Sequence, residues 1–231
     1  MKILIVSATF IEVAPLFNFL KLGYKDNKKF YCTDFFGNHI CILITGVGMV
    51  NMTYFFSNID LSQYDLIINA GFAGSFNEKL EIGQIVNVHK DRFADMGIAT
   101  KEGFLTIFDM NLANGDEYPF ENQAIINHGN KYKNFFADIK LVDAITVNTV
   151  SNTPHIIKLF KSKYNAEIET MEGAAFMFVA KMKNVNFYQI RSISNYVQPT
   201  EQAQWNKYKA QIQLYEYLKM KLIELIVKIA N

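Results

Sequence analysis

The sequence is poor in net charge, in cysteine, in arginine and in long apolar runs, and each scarcity removes a class of function. Its 23 basic and 22 acidic side chains leave a net charge of +1, too little to draw the chain to nucleic acid or to an anionic membrane surface. A small-molecule partner fits that surface better. The apolar stretch Met1 to Ser7 falls far short of the roughly 20 residues a bilayer-spanning helix needs, and no small-residue cleavage site follows a charged start. A cytoplasmic protein with no membrane segment is expected. Cys32 and Cys41 stand on what read as neighbouring strands but lack the further pairs of a disulfide framework, so they read as reduced thiols. His39, His89, His128 and His155 have neither metal-ligand spacing nor a fixed partner, so no metal site is expected.

Against these absences, half of the 231 residues are apolar. A chain of that length buries roughly 70–75% of its extended surface. That is enough for one core, and with no repeat or low-complexity stretch to interrupt it, residues 1–231 read as a single domain. Lys2 to Val6 reads as a strand, and Ile11 to Leu22 shows helical spacing at Val13, Leu16, Phe17 and Leu20. Phe30 to Phe35 and His39 to Thr45 bracket Gly37-Asn38, a hairpin signal, and Met49 to Ser57 reads as a second helix. Leu66 to Asn69 predicts a buried strand running into a turn at Ala70 to Gly74, and Gln84 to His89 a further strand.

The polar stretch from Arg92 to Asn130 reads as long loops and a few short strands packed on one side of a sheet. The strand Leu141 to Val147, helices from Pro154 to Lys163 and from Met171 to Lys183, and the strand Asn186 to Ser192 restore the alternation of strand and helix. Ile212, Leu214, Tyr217, Leu218, Leu222, Leu225 and Ile226 mark one amphipathic helix at the end of the chain. The expected class is α/β, a three-layer α/β/α domain around a mixed, largely parallel central sheet.

In such a sheet ligands gather where strands end and helices begin. That singles out Ala8 to Glu12, Ala70 to Ser75, Thr170 to Gly173 and Arg191 to Asn195, where small residues either let the backbone approach a ligand or simply make tight turns. Glu172 opens an otherwise apolar helix; it either complements the helix dipole and caps free amides or faces a ligand. Arg191 sits in a strand that should be buried, and an unpaired guanidinium there would cost several kcal/mol, which makes Glu12 and Glu172 its natural partners. Arg191 and Arg92 are the only arginines in the chain, so Arg191 is not compositional background.

Taken in order and spacing, several segments resemble the nucleoside phosphorylase superfamily, and its nucleosidase branch in particular. They are Glu12 after a small-residue turn, Asn69-Ala70-Gly71-Phe72-Ala73-Gly74-Ser75, Met171-Glu172-Gly173-Ala174-Ala175 and Arg191-Ser192-Ile193-Ser194-Asn195. Phe93 to Gly97, Val147 to Val150, and Ser194 to Pro199 followed by Trp205 are similar to futalosine hydrolases rather than to methylthioadenosine/S-adenosylhomocysteine nucleosidases. The resemblance implies hydrolysis of the N-glycosidic bond of futalosine to hypoxanthine and dehypoxanthine futalosine, in menaquinone biosynthesis. The rivals are a methylthioadenosine/S-adenosylhomocysteine nucleosidase, a purine nucleoside phosphorylase and a non-catalytic nucleoside-binding protein. The resemblance also implies no cofactor, a purine nucleoside as partner, and a homo-oligomer, with a dimer favoured.

By that resemblance Glu12 is the general base for water, with Arg191 orienting its carboxylate. Glu172 accepts from the ribose hydroxyls and Met171 walls the sugar, while Ala8, Phe72, Ala73, Gly74, Asp95, Thr149 and Val150 complete the substrate contacts. Phe72 takes the place of a serine in the methylthioadenosine branch; it packs on the ligand or belongs to the core. Asn195 takes the place of an aspartic acid. An amide cannot act as an acid, but its NH₂ can donate to N7 and O6 of hypoxanthine, two acceptors side by side. The competing role for Asn195 is a cap for the helix after Pro199. Asp95 and solvent are both open as the proton source for the leaving base, and Asp95 reads equally as a turn former. Phosphate as nucleophile is disfavoured, because phosphate sites recruit forked arginines and this chain has two in all.

Overall fold

The computed structural model describes residues 1–101, 103–199 and 204–230. In chain order the elements are β1 (Lys2–Ser7), α1 (Phe10–Phe19), β2 (Phe30–Phe35), β3 (Asn38–Ile44), α2 (Met49–Ser57), β4 (Leu66–Ser75), β5 (Ile85–Phe93), β6 (Gly97–Ala99), β7 (Phe104–Thr106) and β8 (Ile125–Ile126). The remaining elements are β9 (Lys140–Thr146), α3 (Pro154–Tyr164), β10 (Ile168–Thr170), α4 (Gly173–Met182), β11 (Phe187–Tyr196) and α5 (Lys207–Ala230).

Strands run in the order β10-β9-β5-β11-β4-β1-β3-β2, with β8 added beside β5 and β6 paired with β7 apart from the main sheet. The sheet is mixed: β1 pairs in parallel with β3 and β4, and β11 with β4, while β11 runs antiparallel to β5. The expected α/β class holds. Alternation along β1 shows why helices cover both faces: Ile3 and Ile5 join the apolar cluster under α1 and α5, whereas Leu4 and Val6 join the cluster under α2 and α4. Leu214, Leu218, Leu222 and Leu225 of α5 are buried as the amphipathic pattern requires; the Ile226 side chain lies outside the described residues. Among the described residues no helix is long and apolar enough to cross a membrane.

One feature of the sheet goes beyond the expected layering. β10 pairs with β9 on one side and, antiparallel, with β4 on the other, so β4, β11, β5, β9 and β10 form a closed circuit of hydrogen-bonded strands. Each of these strands contributes polar side chains to one buried network. Gln189 Nε2 and Thr146 Oγ1 donate to Asp91 at 3.0 and 2.9 Å, and Thr146 and Thr170 hydroxyls meet at 3.0 Å. Arg191 Nε donates to Gln189 Oε1 at 3.1 Å, and Arg191 Nη2 donates to Asn69 Oδ1.

Several local expectations are corrected. The hairpin turn is Phe36-Gly37, both with positive φ of 46° and 76°, because the register pairs Phe35 with Asn38 and makes Asn38 a strand residue. Ala70 to Gly74 is not a turn: β4 continues through it to Ser75, held by β11 on one flank. Cys32 and Cys41 are not free thiols but a disulfide, since the antiparallel register sets them directly opposite with Cα atoms 4.1 Å apart.

Candidate active site

A cavity of about 540 Å³ opens at the carboxyl ends of β1, β4, β10 and β11, where an open α/β sheet is expected to bind ligands. Glu12 and Glu172, 160 positions apart in the chain (172 minus 12), both line it and are 7% and 5% exposed. The start of α1 fixes Glu12. Thr9 precedes the helix in extended conformation, and its N–H and Oγ1 donate to Glu12 Oε2 at 2.8 and 2.9 Å, a capping-box arrangement. Ser7 Oγ adds a third donor at 3.1 Å, and the Phe72 N–H from β4 donates to the other oxygen, Oε1, at 2.9 Å.

Glu172 stands at the head of α4 without capping it. Its Oε1 instead accepts the N–H of Gly48, 124 positions away, at 2.8 Å. A carboxylate serving the helix alone would have spent that bond on its own first turn. Burial raises the pKa of Glu172 and the neighbouring Glu12 charge adds to the rise, while the Arg191 charge and the Gly48 amide pull it down.

Arg191 lies beneath this surface, 1% exposed. Its hydrogen bonds go to Gln189 and Asn69 rather than to a carboxylate, which corrects the expectation of direct pairing with Glu12 or Glu172. Burial lowers its pKa, and the charges of Glu172, Glu12 and Asp91 raise it again. The guanidinium is therefore compensated by three carboxylates around it instead of one in contact. Gly71 explains how close the groups come: a Cβ there would collide with both Arg191 Nη1 and Glu12 Oε1, so the two charges share the space that a side chain would fill.

Asn195, 4% exposed, also lines the cavity. Its Oδ1 lies 2.8 Å from Ser194 Oγ and its Nδ2 donates to Tyr196 O at 3.1 Å, which orients the amide and leaves the second Nδ2 proton unspent. It caps no helix; Asn206 takes that role for α5, accepting from Lys209 N–H at 3.0 Å.

The family is decided by a match along nearly the whole chain: a model described as the phosphorylase superfamily fits residues 2–227. The chain belongs to the phosphorylase superfamily. It is 27% identical to a 5'-methylthioadenosine/S-adenosylhomocysteine nucleosidase of Buchnera aphidicola, over 99% of this chain and 97% of that protein. To a futalosine hydrolase of Streptomyces coelicolor it is 26% identical, over 64% of this chain and 60% of the relative. The native structure of futalosine hydrolase from Helicobacter pylori superposes with a TM-score of 0.79 at 18% identity, covering 97% of this chain and 98% of that one, a likeness of fold alone.

In this phosphorylase-superfamily chain, the cavity brings together Ala8, Phe72, Ala73, Gly74, Val150 and Met171 with the two glutamates and Asn195. Two expected contacts fall outside its lining. Thr149 is exposed, and Asp95 turns to the loop after β9, where its Oδ2 accepts the Asn148 N–H at 2.6 Å. Phe72 is both things at once, packed against the α1/α5 cluster and lining the cavity. Sequence reasoning missed Glu169, Ser151 and Lys207, all on the lining. Glu169 lies two positions before the recognised Met171-Glu172 pair on a three-residue strand, too short for any periodic signal.

Proposed function

We propose that this chain is a nucleosidase that hydrolyses the N-glycosidic bond of futalosine and releases hypoxanthine, a cytoplasmic step of menaquinone biosynthesis. The observation that carries the reading is the meeting of Glu12 and Glu172 in one cavity, with Asn195 facing the same space. Cleavage leaves positive charge on the ribose and negative charge on the departing base. Glu172, anchored at one oxygen by Gly48, has its other oxygen for the ribose hydroxyls, and its charge favours the oxocarbenium-like transition state. Glu12, held by four donors, takes the proton of an attacking water, with the Arg191 guanidinium close beneath it. The unspent Asn195 proton is available to N7 and O6 of a 6-oxopurine.

Water rather than phosphate is favoured because no arginine lines the cavity among the described residues, and Arg191 is engaged by Gln189 and Asn69. Lys207, the single basic residue on the lining among the described residues, lies with its Nζ 5.2 Å from the Trp205 ring centre. That pair supplies a cation and an aromatic face for the benzoate that ends the 5' substituent of futalosine. A homodimer belongs to the same proposal: Val50 and Tyr54 on α2 are 80% and 61% exposed, a few residues from Val47 on the cavity lining. A methylthioadenosine/S-adenosylhomocysteine nucleosidase is the second reading, favoured by the relative matched over 97% of its length.

Incubation with futalosine, inosine and methylthioadenosine, with and without phosphate, followed by chromatography of the released base, tests the reading. Free hypoxanthine from futalosine without phosphate is expected, and Asn195→Asp should shift the preference toward adenine nucleosides. Adenine release from methylthioadenosine alone would transfer the chain to the second reading.

A further inference from the structure

Among the described residues three carboxylates line the cavity, and the mechanism above employs two. The third, Glu169, is 5% exposed and lies on the side of the cavity that Asn195 lines. The strand registers place it there. Gly74 of β4 pairs with Glu169 of β10 on one side and with Asn195 of β11 on the other. A bulge between Ile193 and Asn195 interrupts the β11 register, but both side chains line the cavity, and two strand spacings set the Glu169 and Asn195 backbones roughly 10 Å apart. The β4 residue between them is a glycine. A Cβ on Gly74 would press on Val197 at 2.9 Å and on Asn195 Nδ2 at 3.3 Å, so the floor between the two polar side chains has to stay bare.

Glu169 is held as an acceptor. The Ser151 N–H donates to its Oε1 at 3.0 Å and Ser151 Oγ to its Oε2 at 2.5 Å, so one residue of the loop after β9 grips both oxygens. Ser151 is itself buried and on the cavity lining. Each carboxylate oxygen retains a further lone pair. Burial raises the pKa of Glu169, the two Ser151 donors lower it, and the Asp95 charge raises it further.

We infer that Glu169 accepts a hydrogen bond from N1–H of a 6-oxopurine, and so reads base identity together with Asn195. This rests on the proposed 6-oxopurine substrate and deepens it. A 6-oxopurine presents adjacent acceptors at N7 and O6, which the one unspent N–H of Asn195 serves, and a donor at N1, which a carboxylate complements. A 6-aminopurine presents a bare lone pair at N1, which would face the lone pairs of Glu169 and leave both unsatisfied. The carboxylate thus acts by acceptance from one base class and by repulsion of the other.

The test uses free bases, so that it is independent of the 5' substituent. Binding of hypoxanthine, 1-methylhypoxanthine and adenine is measured by calorimetry at about pH 8 on the wild type, Glu169→Gln and Ser151→Ala. Wild type is expected to bind hypoxanthine roughly 10- to 100-fold more tightly than 1-methylhypoxanthine, which lacks the N1 proton. Glu169→Gln should erase most of that ratio and improve adenine binding, because its NH₂ can donate to adenine N1. Ser151→Ala, which leaves the carboxylate unaligned, should reduce the ratio by a smaller factor. Equal binding of hypoxanthine and its 1-methyl derivative by wild type overturns the inference with no variant needed. So does a Glu169→Gln protein that keeps the wild-type ratio while still preferring hypoxanthine, an outcome that leaves the 6-oxopurine reading intact. Wild-type preference for adenine would instead remove that reading and the inference with it.

Discussion

Glu12 and Glu172 on the cavity wall are each anchored by a main-chain N–H from a distant part of the chain, Phe72 for one and Gly48 for the other. Asp91 and Arg191, inside the closed circuit of strands, are held largely by other side chains: Gln189 and Thr146 for the acid, Gln189 and Asn69 for the base. Both regions hold charge at low exposure, but they hold it for different ends. A carboxylate fixed from one side by a backbone amide keeps an oxygen or a lone pair for a ligand. A network of side chains satisfies itself, and its charges act outward only through their fields.

That contrast fixes how the two regions should respond to change. The largest effect is expected on the cavity wall, where Glu12→Gln preserves shape and most donors but removes the base. Turnover should fall about 10²- to 10⁴-fold with ligand affinity little altered. Near-normal turnover in the variant would show that the wall charge is as inert as the buried one. A smaller effect, on stability rather than rate, is expected inside the strand circuit. Burial raises the Asp91 pKa from its ordinary 3.8 to about 6, against the lowering influence of Gln189, Thr146 and Arg191.

A carboxyl raised on folding binds its proton more tightly in the native state. Its stabilising contribution is complete below the unfolded pKa of 3.8 and is lost as pH rises through about 6. The rise corresponds to at most about 3 kcal/mol, and burial raises Glu169 and Glu172 in the same direction. The melting midpoint should therefore be higher at about pH 5 than at about pH 7.5, by roughly 2–4 °C for each kcal/mol. Asp91→Asn should flatten that dependence. A midpoint that climbs steadily from pH 5 to 7.5 would mean that the buried network does not carry the charge balance described.

The sequence was most legible where one residue type, one spacing and one local geometry coincide. Glu12 follows a small-residue turn at the start of a helix, and Glu172 announces itself as the acid at the head of an apolar helix. The apolar run Lys2 to Val6 announced β1 as a strand, while the split of its residues between the two faces came from the packing. Legibility failed where position depends on pairing between distant strands. Opposite charge made Glu12 and Glu172 the obvious partners of Arg191, but strand register delivered Gln189 and Asn69 to it instead. Asp95 and Thr149 sit in loops, where a short motif does not say which way a side chain turns. Glu169 is brought toward Asn195 only by the pairing of Gly74 with both strands, which no local pattern encodes.

The account stands or falls on whether Glu12 and Glu172 serve the same sugar. A crystal structure of the Glu12→Gln protein soaked with futalosine tests this most directly. The account predicts an intact nucleoside in the cavity, its ribose hydroxyls on the Glu172 carboxylate, its anomeric carbon facing the residue 12 amide across one water, and its purine between Asn195 and Glu169. A nucleoside bound elsewhere, or with its ribose remote from either position, would contradict it.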